Sequence, residues 1–119
     1  MIKVERTVGD DDTRSWGPPY LRDEAGSDTA ESTYFLSANC GERSLTIDIS
    51  HSQGQSIIRE LARSCDVAIE NYKVGQLKKY GLDIEALRIE KPDLIYCPIS
   101  GFGQDGPLGQ NHDYRTNNV

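Results

Sequence analysis

The sequence predicts an α/β fold, and three observations lead to this prediction. Apolar and polar residues alternate along Ile2–Glu5 and Ser44–Ile49, as they do in strands with one buried face. The apolar run Val67–Glu70 predicts a buried strand, and Leu94–Ile99 predicts the last strand. Helical patterns separate the later strands, and strands that alternate with helices pair in parallel through right-handed crossovers. We therefore expect a Rossmann-like parallel sheet with flanking helices.

Length and charge limit the possible functions. A chain of 119 residues is long enough for one compact domain. Hydrophobic residues make up 36% and charged residues 27%, which indicates a globule with a thin core. The formal net charge of −6 has the wrong sign for binding a nucleic-acid backbone or an anionic membrane. We expect neither partner.

The segment after the first strand lacks regular patterning. Gly9, the acids Asp10–Asp12 and the turn residues Gly17–Pro19 predict a long loop that extends to about residue 30. We expect the single tryptophan, Trp16, to anchor this loop by burial. Three adjacent acids in a glycine-flanked turn are usually solvated, so we predict no metal site there. Glu31–Asn39 predicts a short helix or turn.

Capping residues predict where the later helices begin and end. Ser52 and Gln55 match a capping box. Val74–Tyr80 is predicted to be helical and to end at Gly81 in a left-handed conformation, and Asp83 is predicted to cap another helix. The helix after Ser52 has an apolar stripe formed by Ile57, Ile58, Leu61, Ala62 and Cys65.

The cysteines and the first residues suggest a cellular location. Cys40, Cys65 and Cys97 are odd in number and form no C-x-x-C pair, which favours neither disulfides nor a zinc site. A reducing compartment fits this usage. No apolar run is long enough to span a membrane, and the start resembles no signal peptide. We expect a soluble protein of the cytoplasm or the mitochondrial matrix.

Gly101–Gly106 matches the dinucleotide pattern G-x-G-x-x-G directly after a strand. Pro107 follows it, and the next residues show no apolar helical period. A helix N-terminus is what holds a pyrophosphate in that motif, so we predict no nicotinamide or flavin site.

Several polar residues allow both a functional and a structural interpretation. Asn71 and Tyr72 follow a predicted strand, where they could contact a ligand, or could cap the next helix and pack. Lys78 and Lys79 could meet phosphate or could complement a helix dipole. His112–Asp113 could be a base with its orienting acid, or an exposed pair.

Seven segments of the chain, taken in their order and spacing, form a specific pattern: Ile2–Arg6, Gly9–Pro19, Glu31–Asn39, Arg43–Asp48, Cys65–Gly75, Lys79–Leu82 and Leu94–Pro107. Together they resemble the family III CoA-transferases of the CaiB/BaiF type, which include formyl-CoA transferase and succinyl-CoA:glutarate CoA-transferases. The resemblance implies an incomplete part of the family's large domain, family-like over residues 1–107 with a divergent tail over 108–119.

The resemblance implies an enzyme that moves CoA from an acyl-CoA to a carboxylic acid, with CoA as substrate and no resident cofactor. It implies covalent catalysis by an aspartate, which the family pattern places beyond residue 119, so we expect this chain alone to be inactive. It also implies an interlocked homodimer for the full-length protein.

Carried over by position, the resemblance implies six CoA contacts and no catalytic residue within the chain. The contacts are Arg6 at the nucleotide phosphates, Ile47 at the adenine, Asn71 and Tyr72 along the CoA chain, and Lys79 and Tyr80 beside the diphosphate and adenine. Ser50 replaces a frequent lysine, and Cys40–Glu42 replaces a basic run.

Two alternatives remain open. His112 followed by Asp113 resembles the proton-transfer site of α-methylacyl-CoA racemases, in which this histidine is the base. A non-catalytic CoA-binding fragment is the other alternative.

Overall fold

The computed structural model describes residues 1–9 and 11–109. The chain divides into two compact units, Met1–Asp48 and Ile49–Val119, and each is described by itself. Parallel strand pairs and helices occur in the chain, so the predicted α/β class is confirmed.

The first unit consists mainly of short strands. Its elements in chain order are β1 (Ile2–Glu5), a 3₁₀ helix (Asp12–Ser15), β2 (Tyr20–Arg22), β3 (Asp28–Ser32), α1 (Thr33–Ala38) and β4 (Arg43–Thr46).

Strands β1 and β4 pair in parallel, with Ile2 opposite Arg43 and Glu5 opposite Thr46. The strand predicted over Ser44–Ile49 is present but stops at Thr46. Strand β4 ends there because β1 ends at Glu5, so the residues after Thr46 have no strand opposite them.

The predicted long loop is partly wrong, because β2 and β3 form an antiparallel hairpin within it. The Asp23 carboxylate closes the turn by accepting hydrogen bonds from the backbone N–H groups of Ala25 (2.9 Å) and Ser27 (2.8 Å). Gly26 takes the left-handed conformation that the turn requires, with φ of 82°. An aspartate with a glycine three residues later is a turn signal in the sequence.

Ser32 connects this hairpin to α1. Its buried hydroxyl donates to the Trp16 carbonyl at 2.5 Å and accepts from the Phe35 N–H at 3.3 Å, which caps the helix. The prediction that Trp16 is buried is wrong, since its side chain is exposed. The indole instead packs against the Tyr34 ring, with centroids 5.3 Å apart.

The second unit contains a β-α-β arrangement preceded by a helix. Its elements are α2 (Ser52–Ser64), β5 (Val67–Glu70), a second 3₁₀ helix (Leu77–Tyr80), α3 (Ile84–Glu90) and β6 (Ile95–Pro98). Strands β5 and β6 pair in parallel, with Val67 opposite Ile95 and Glu70 opposite Pro98.

The predicted capping box at the start of α2 is wrong. Ser52 is the first helical residue, and His51 occupies the N-cap position. The Gln55 side-chain amide donates to the Ile49 carbonyl at 3.0 Å, so it binds a residue before the helix.

The predicted caps of the later helices are confirmed. Gly81 ends the second 3₁₀ helix with φ of 63°, and the Asp83 carboxylate accepts from the Ala86 N–H at 3.3 Å at the start of α3. The helix predicted over Val74–Tyr80 is shorter than expected, because Gly75 at φ of 77° interrupts it.

The core of the second unit lies between the helices and one face of the β5–β6 pair. Ile58 and Tyr96 pack against it from α2 and β6. Its buried members are Ala62, Leu77, Leu82, Leu87 and Leu94.

We expect Leu94→Ala to lower the free energy of unfolding by about 3 kcal/mol, because Leu94 is only 1% exposed and its loss leaves a cavity. The matched control is Ile89→Ala on α3, where the side chain is 82% exposed and the expected change is under ~0.5 kcal/mol. Urea unfolding followed by circular dichroism measures both, and equal losses would contradict this core assignment.

Candidate functional site

Three of the predicted CoA contacts lie directly after the carboxyl ends of parallel strands. Arg6 follows β1, Ile47 follows β4 and Asn71 follows β5. Within the first unit Arg6 and Ile47 are neighbours across the strand pair, since the Ile47 N–H donates to the Glu5 carbonyl at 3.0 Å. Open α/β sheets bind ligands outside the carboxyl ends of their strands.

The Arg6 guanidinium is accessible. Its side chain is 59% exposed, and its Nη2 atom contacts Oδ1 of the 75% exposed Asp12 at 2.5 Å. An ion pair this exposed contributes under ~1 kcal/mol. An anionic ligand can therefore compete with Asp12 for the guanidinium.

Ile47 is buried, which distinguishes it from the other predicted contacts. Its side chain presents little surface to a ligand in this structure. Its role at adenine stays a prediction.

A cluster of charges that the sequence analysis missed surrounds Glu5, which is buried. The Ser44 hydroxyl donates to Glu5 Oε1 at 2.7 Å, Arg14 Nη2 lies 3.4 Å from Oε2, and Lys3 Nζ lies 3.9 Å from Oε1. Both cations also stack on Phe35, at 4.5 Å for Lys3 and 3.9 Å for Arg14 from the ring centroid. The Ser44 hydrogen bond, with the two cations, outweighs burial and lowers the pKa of Glu5.

Asp11 belongs to the same cluster. It forms an ion pair with Lys3, and its Oδ1 accepts from the Thr13 N–H at 2.8 Å and hydroxyl at 2.6 Å. Burial alone would raise the pKa of Asp11, but Lys3 and Thr13 together lower it. Over residues 1–9 and 11–109 no three potential ligands gather around a metal position, and Asp10 lies outside those residues.

In the second unit, the strand β5 leads directly into Asn71 and Tyr72. The Tyr72 N–H donates to Glu70 Oε2 at 2.7 Å. The side chains of Asn71 and Tyr72 are exposed. Gln76 occupies the N-cap of the next helical turn, so the alternative that Asn71 caps it is wrong. An exposed amide beside an exposed aromatic ring suits an extended ligand.

Lys79 and Tyr80 end the second 3₁₀ helix. The Lys79 ammonium lies 4.6 Å from the centroid of the Tyr80 ring, and Tyr80 itself packs against the buried core. Packing against the core fixes the position of the Tyr80 ring, and a cation–π interaction with this ring positions the exposed Lys79 ammonium.

A cleft of about 290 Å³ lies in the second unit and contains none of the six predicted contacts. Burial first, and then the carboxylates of Glu70 and Asp83, raise the pKa of Tyr96, whose hydroxyl hydrogen-bonds to Glu70. The Nε2 atom of Gln104 is buried without a partner among the described residues. The other lining residues are Lys73, Gly75, Leu77, Lys78, Ile84 and Pro98.

The glycine-rich segment forms turns through residue 109, with Gly103 and Gly106 at φ of 83° and 97°. No helix begins over residues 101–109. His112, the base under the racemase alternative, lies outside the described residues.

We expect the first unit to lose stability as the pH falls, because the pKa of Glu5 is lowered from its ordinary value of about 4.5. Its ionised form stabilises the folded state above that pH, and protonation removes the contribution below it. Glu5→Gln should flatten the fall of the unfolding free energy as the pH drops below about 4.5. Glu24→Gln, at an exposed position in the same unit, is the control. Equal slopes for the parent and Glu5→Gln would contradict the ion-pair assignment.

Comparison with known proteins places these features in a family. The family model for CoA-transferase family III matches residues 1–117. Succinate–glutarate CoA-transferase of Agrobacterium fabrum is 46% identical over 116 residues, which are 96% of this chain and 29% of the relative. Human succinyl-CoA:glutarate CoA-transferase is 45% identical over 114 residues, 96% of this chain and 24% of the relative.

Solved structures agree with the sequence relatives. A CaiB/BaiF family protein from Brucella suis superposes with a TM-score of 0.82 at 47% identity, over 95% of this chain and 29% of that protein. The chain therefore spans less than a third of the length of these relatives. No helix in the described part of the chain is long and apolar enough to cross a membrane. From the match over nearly the whole chain and these identities, the chain belongs to CoA-transferase family III.

Proposed function

We propose that this chain binds the nucleotide half of CoA within an enzyme that transfers CoA between carboxylic acids. The observation that carries the proposal is the placement of Arg6, Ile47 and Asn71 directly after parallel strands. Family membership supports CoA as the ligand of these strand ends, each taken within its own unit.

Local positive charge supports the same assignment. The chain carries a net charge of −6, so CoA phosphates need specific cations to bind it. Arg6 and Lys79 both place a charged group in solvent, one beside Asp12 and one over the Tyr80 ring. An arginine fork and a lysine ammonium are the usual phosphate ligands of proteins.

We infer dicarboxylic acids as the substrates of the whole enzyme. The relatives at 46% and 45% identity are named for succinate and glutarate, and a relative at 36% identity is named for oxalate. Succinyl-CoA and glutarate are therefore the first pair to test.

The proposed reaction is covalent catalysis by an aspartate that the resemblance places beyond residue 119. Its carboxylate oxygen attacks the thioester carbonyl, the C–S bond breaks, and CoA leaves as the thiolate. The acyl group stays on the aspartate as a mixed anhydride. The thiolate then attacks the aspartyl carbonyl and releases the first acid, leaving an aspartyl-CoA thioester. The incoming carboxylate repeats both steps in reverse. The residues of this chain hold CoA during the exchange.

We also propose a quaternary structure and a cellular compartment for the whole protein. The interlocked homodimer rests on the family resemblance. A reducing compartment, either the cytoplasm or the mitochondrial matrix, is supported by the unpaired thiols of Cys40, Cys65 and Cys97.

We expect Arg6→Ala to weaken CoA binding about tenfold, the effect of losing a charge-assisted hydrogen bond at a partly solvated site. Asp12→Asn should strengthen binding, because it removes the carboxylate that competes with phosphate for Arg6. Calorimetry on a chimera measures both, with this chain in place of the matching segment of the Agrobacterium fabrum relative.

Arg22→Ala is the matched control for that series. Arg22 is also an exposed arginine of the first unit with an exposed acidic partner, Asp28, at 3.5 Å. Its loss should leave CoA affinity within about twofold. Equal affinities for the Arg6, Asp12 and Arg22 variants would make Arg6 an ordinary surface cation.

We expect the same chimera to transfer CoA from succinyl-CoA to glutarate, at a rate within about tenfold of the parent relative. Chromatographic detection of glutaryl-CoA measures the transfer. A chimera that binds CoA without transfer would favour the non-catalytic binding alternative for this segment. A chimera that folds but does not bind CoA would contradict the proposed function.

A further inference from the structure

The Glu70 side chain is a carboxylate on the covered side of the β5–β6 pair. Glu70 is the last residue of β5 and is half-buried. Its side chain lies on the same face as that of Ala68, two residues earlier, which packs against the core. A carboxylate on such a face costs free energy unless polar partners replace the water that it loses. The partners of Glu70 therefore indicate its role.

Two partners from different segments meet at this carboxylate. Its Oε2 atom accepts a hydrogen bond from the Tyr72 N–H at 2.7 Å. The Tyr96 hydroxyl also hydrogen-bonds to it from the neighbouring strand. Tyr96 is opposite Ala68 in the strand register, so Glu70 and Tyr96 are diagonal neighbours on one face. The carboxylate thus joins β6 to the backbone at Tyr72.

Tyr96 is a firm anchor for Glu70. Its ring packs against the buried core of the second unit. Burial first, and then the carboxylates of Glu70 and Asp83, raise the pKa of its hydroxyl, so the hydroxyl stays protonated near neutral pH. A protonated hydroxyl donates to the Glu70 carboxylate, and the core holds the donor in place.

Residues 71–73 belong to no helix or strand. Strand β5 ends at Glu70, and the next 3₁₀ helix begins at Leu77. The exposed side chains of Asn71 and Tyr72 are therefore not fixed by the regular hydrogen bonding of an element. A binding residue outside regular structure needs support from a second layer of contacts to keep its position.

We propose that Glu70 is a positioning residue for CoA: together with Tyr96 it holds the backbone at Tyr72, so that the Asn71 amide and the Tyr72 ring are in place for the ligand. The inference rests on the proposed function, in which Asn71 and Tyr72 contact the CoA chain. Glu70 itself does not touch CoA. Ordering these residues before binding lowers the cost of ordering them in the complex, so loss of the support weakens binding.

Charge separates this role from a direct electrostatic effect. CoA is anionic, so removing a nearby carboxylate would strengthen its binding if charge alone mattered. Loss of positioning has the opposite sign. Glu70→Gln distinguishes the two effects. The glutamine amide is uncharged, but it keeps an acceptor for the Tyr72 N–H and can donate to the Tyr96 hydroxyl oxygen.

The test is calorimetry of CoA binding on the chimera of this chain with the Agrobacterium fabrum relative. We expect Glu70→Ala to weaken binding about tenfold. Tyr96→Phe should weaken it about threefold, because one of the two hydrogen bonds is lost while the ring packing stays. Glu70→Gln should remain within about twofold of the parent. The matched control is Glu60→Ala, at an exposed position of α2, which should leave the affinity unchanged.

Two further measurements show whether Glu70 acts through Asn71 and Tyr72. In a chimera that carries Asn71→Ala and Tyr72→Ala, adding Glu70→Ala should change the affinity by less than about twofold, because the side chains that it positions are already absent. An adenosine bisphosphate that lacks the pantetheine chain should bind the parent and Glu70→Ala equally. A merely structural role would weaken the binding of both ligands.

Three results would overturn the proposal. One is a Glu70→Ala chimera with the affinity of the parent. Another is a Glu70→Ala effect that persists in the Asn71 and Tyr72 background. The third is an equal loss for Glu70→Gln and Glu70→Ala. If Glu70→Ala does not fold, Tyr96→Phe replaces it in the first two comparisons.

These results are distinct from a failure of the proposed function. In each of them the parent chimera binds CoA and Arg6→Ala weakens the binding, so the proposed function would stand without the role of Glu70. A parent chimera that folds but does not bind CoA would contradict both.

Discussion

Parallel pairing is the constraint on which the rest of this structure depends. Two strands that run in the same direction end at the same edge, so whatever follows them is brought together. This is why Arg6 and Ile47, more than 40 residues apart in sequence, are neighbours after β1 and β4. Parallel strands also require long crossovers, and here the crossovers contain the β2–β3 hairpin in one unit and the Leu77–Tyr80 turn with α3 in the other. The pairing therefore determines both the candidate ligand edge and the elements that support it.

The same pairing explains the uneven burial of apolar residues. Over the part of the second unit that the structure describes, residues 49–109, helices pack on one side of β5–β6, and the buried core consists of four leucines and Ala62. Burying an aliphatic side chain contributes about 1.5 to 3 kcal/mol, so the exposed isoleucines on the other side are a large unused driving force. A hydrophobic fraction of 36% is low for a globular domain, and some of these hydrophobic residues are exposed to solvent.

Local signals were predictable from the sequence, whereas contacts between distant residues were not. The positions of β1 and β6, the left-handed Gly81 and the cap at Asp83 follow from patterns a few residues long, and the structure confirms them. The hairpin turn at Asp23 also has a local signal, because Gly26 follows three residues later. The turn residues Gly17–Pro19 nearby led instead to the prediction of one long loop. The cluster around Glu5 depends on Ser44, 39 residues away, and no periodicity encodes such a contact. The exposure of the β5 face was equally unpredictable, because an apolar strand has the same sequence whether or not its cover is present.

Burial separates two arginines that look alike in the sequence. Arg14 faces the buried Glu5 carboxylate and stacks on Phe35 at 3.9 Å, so removing it would leave that carboxylate with only Ser44 and Lys3 as partners and would destabilise the first unit. Arg6 faces Asp12 in solvent, where the pair contributes little and either partner can be exchanged. A cation that binds phosphate must exchange its acidic partner in the protein for the phosphate, and the protein must stay folded when it does. Arg6 meets this requirement and Arg14 does not, which makes Arg14 a structural cation and Arg6 the proposed phosphate ligand of the first unit.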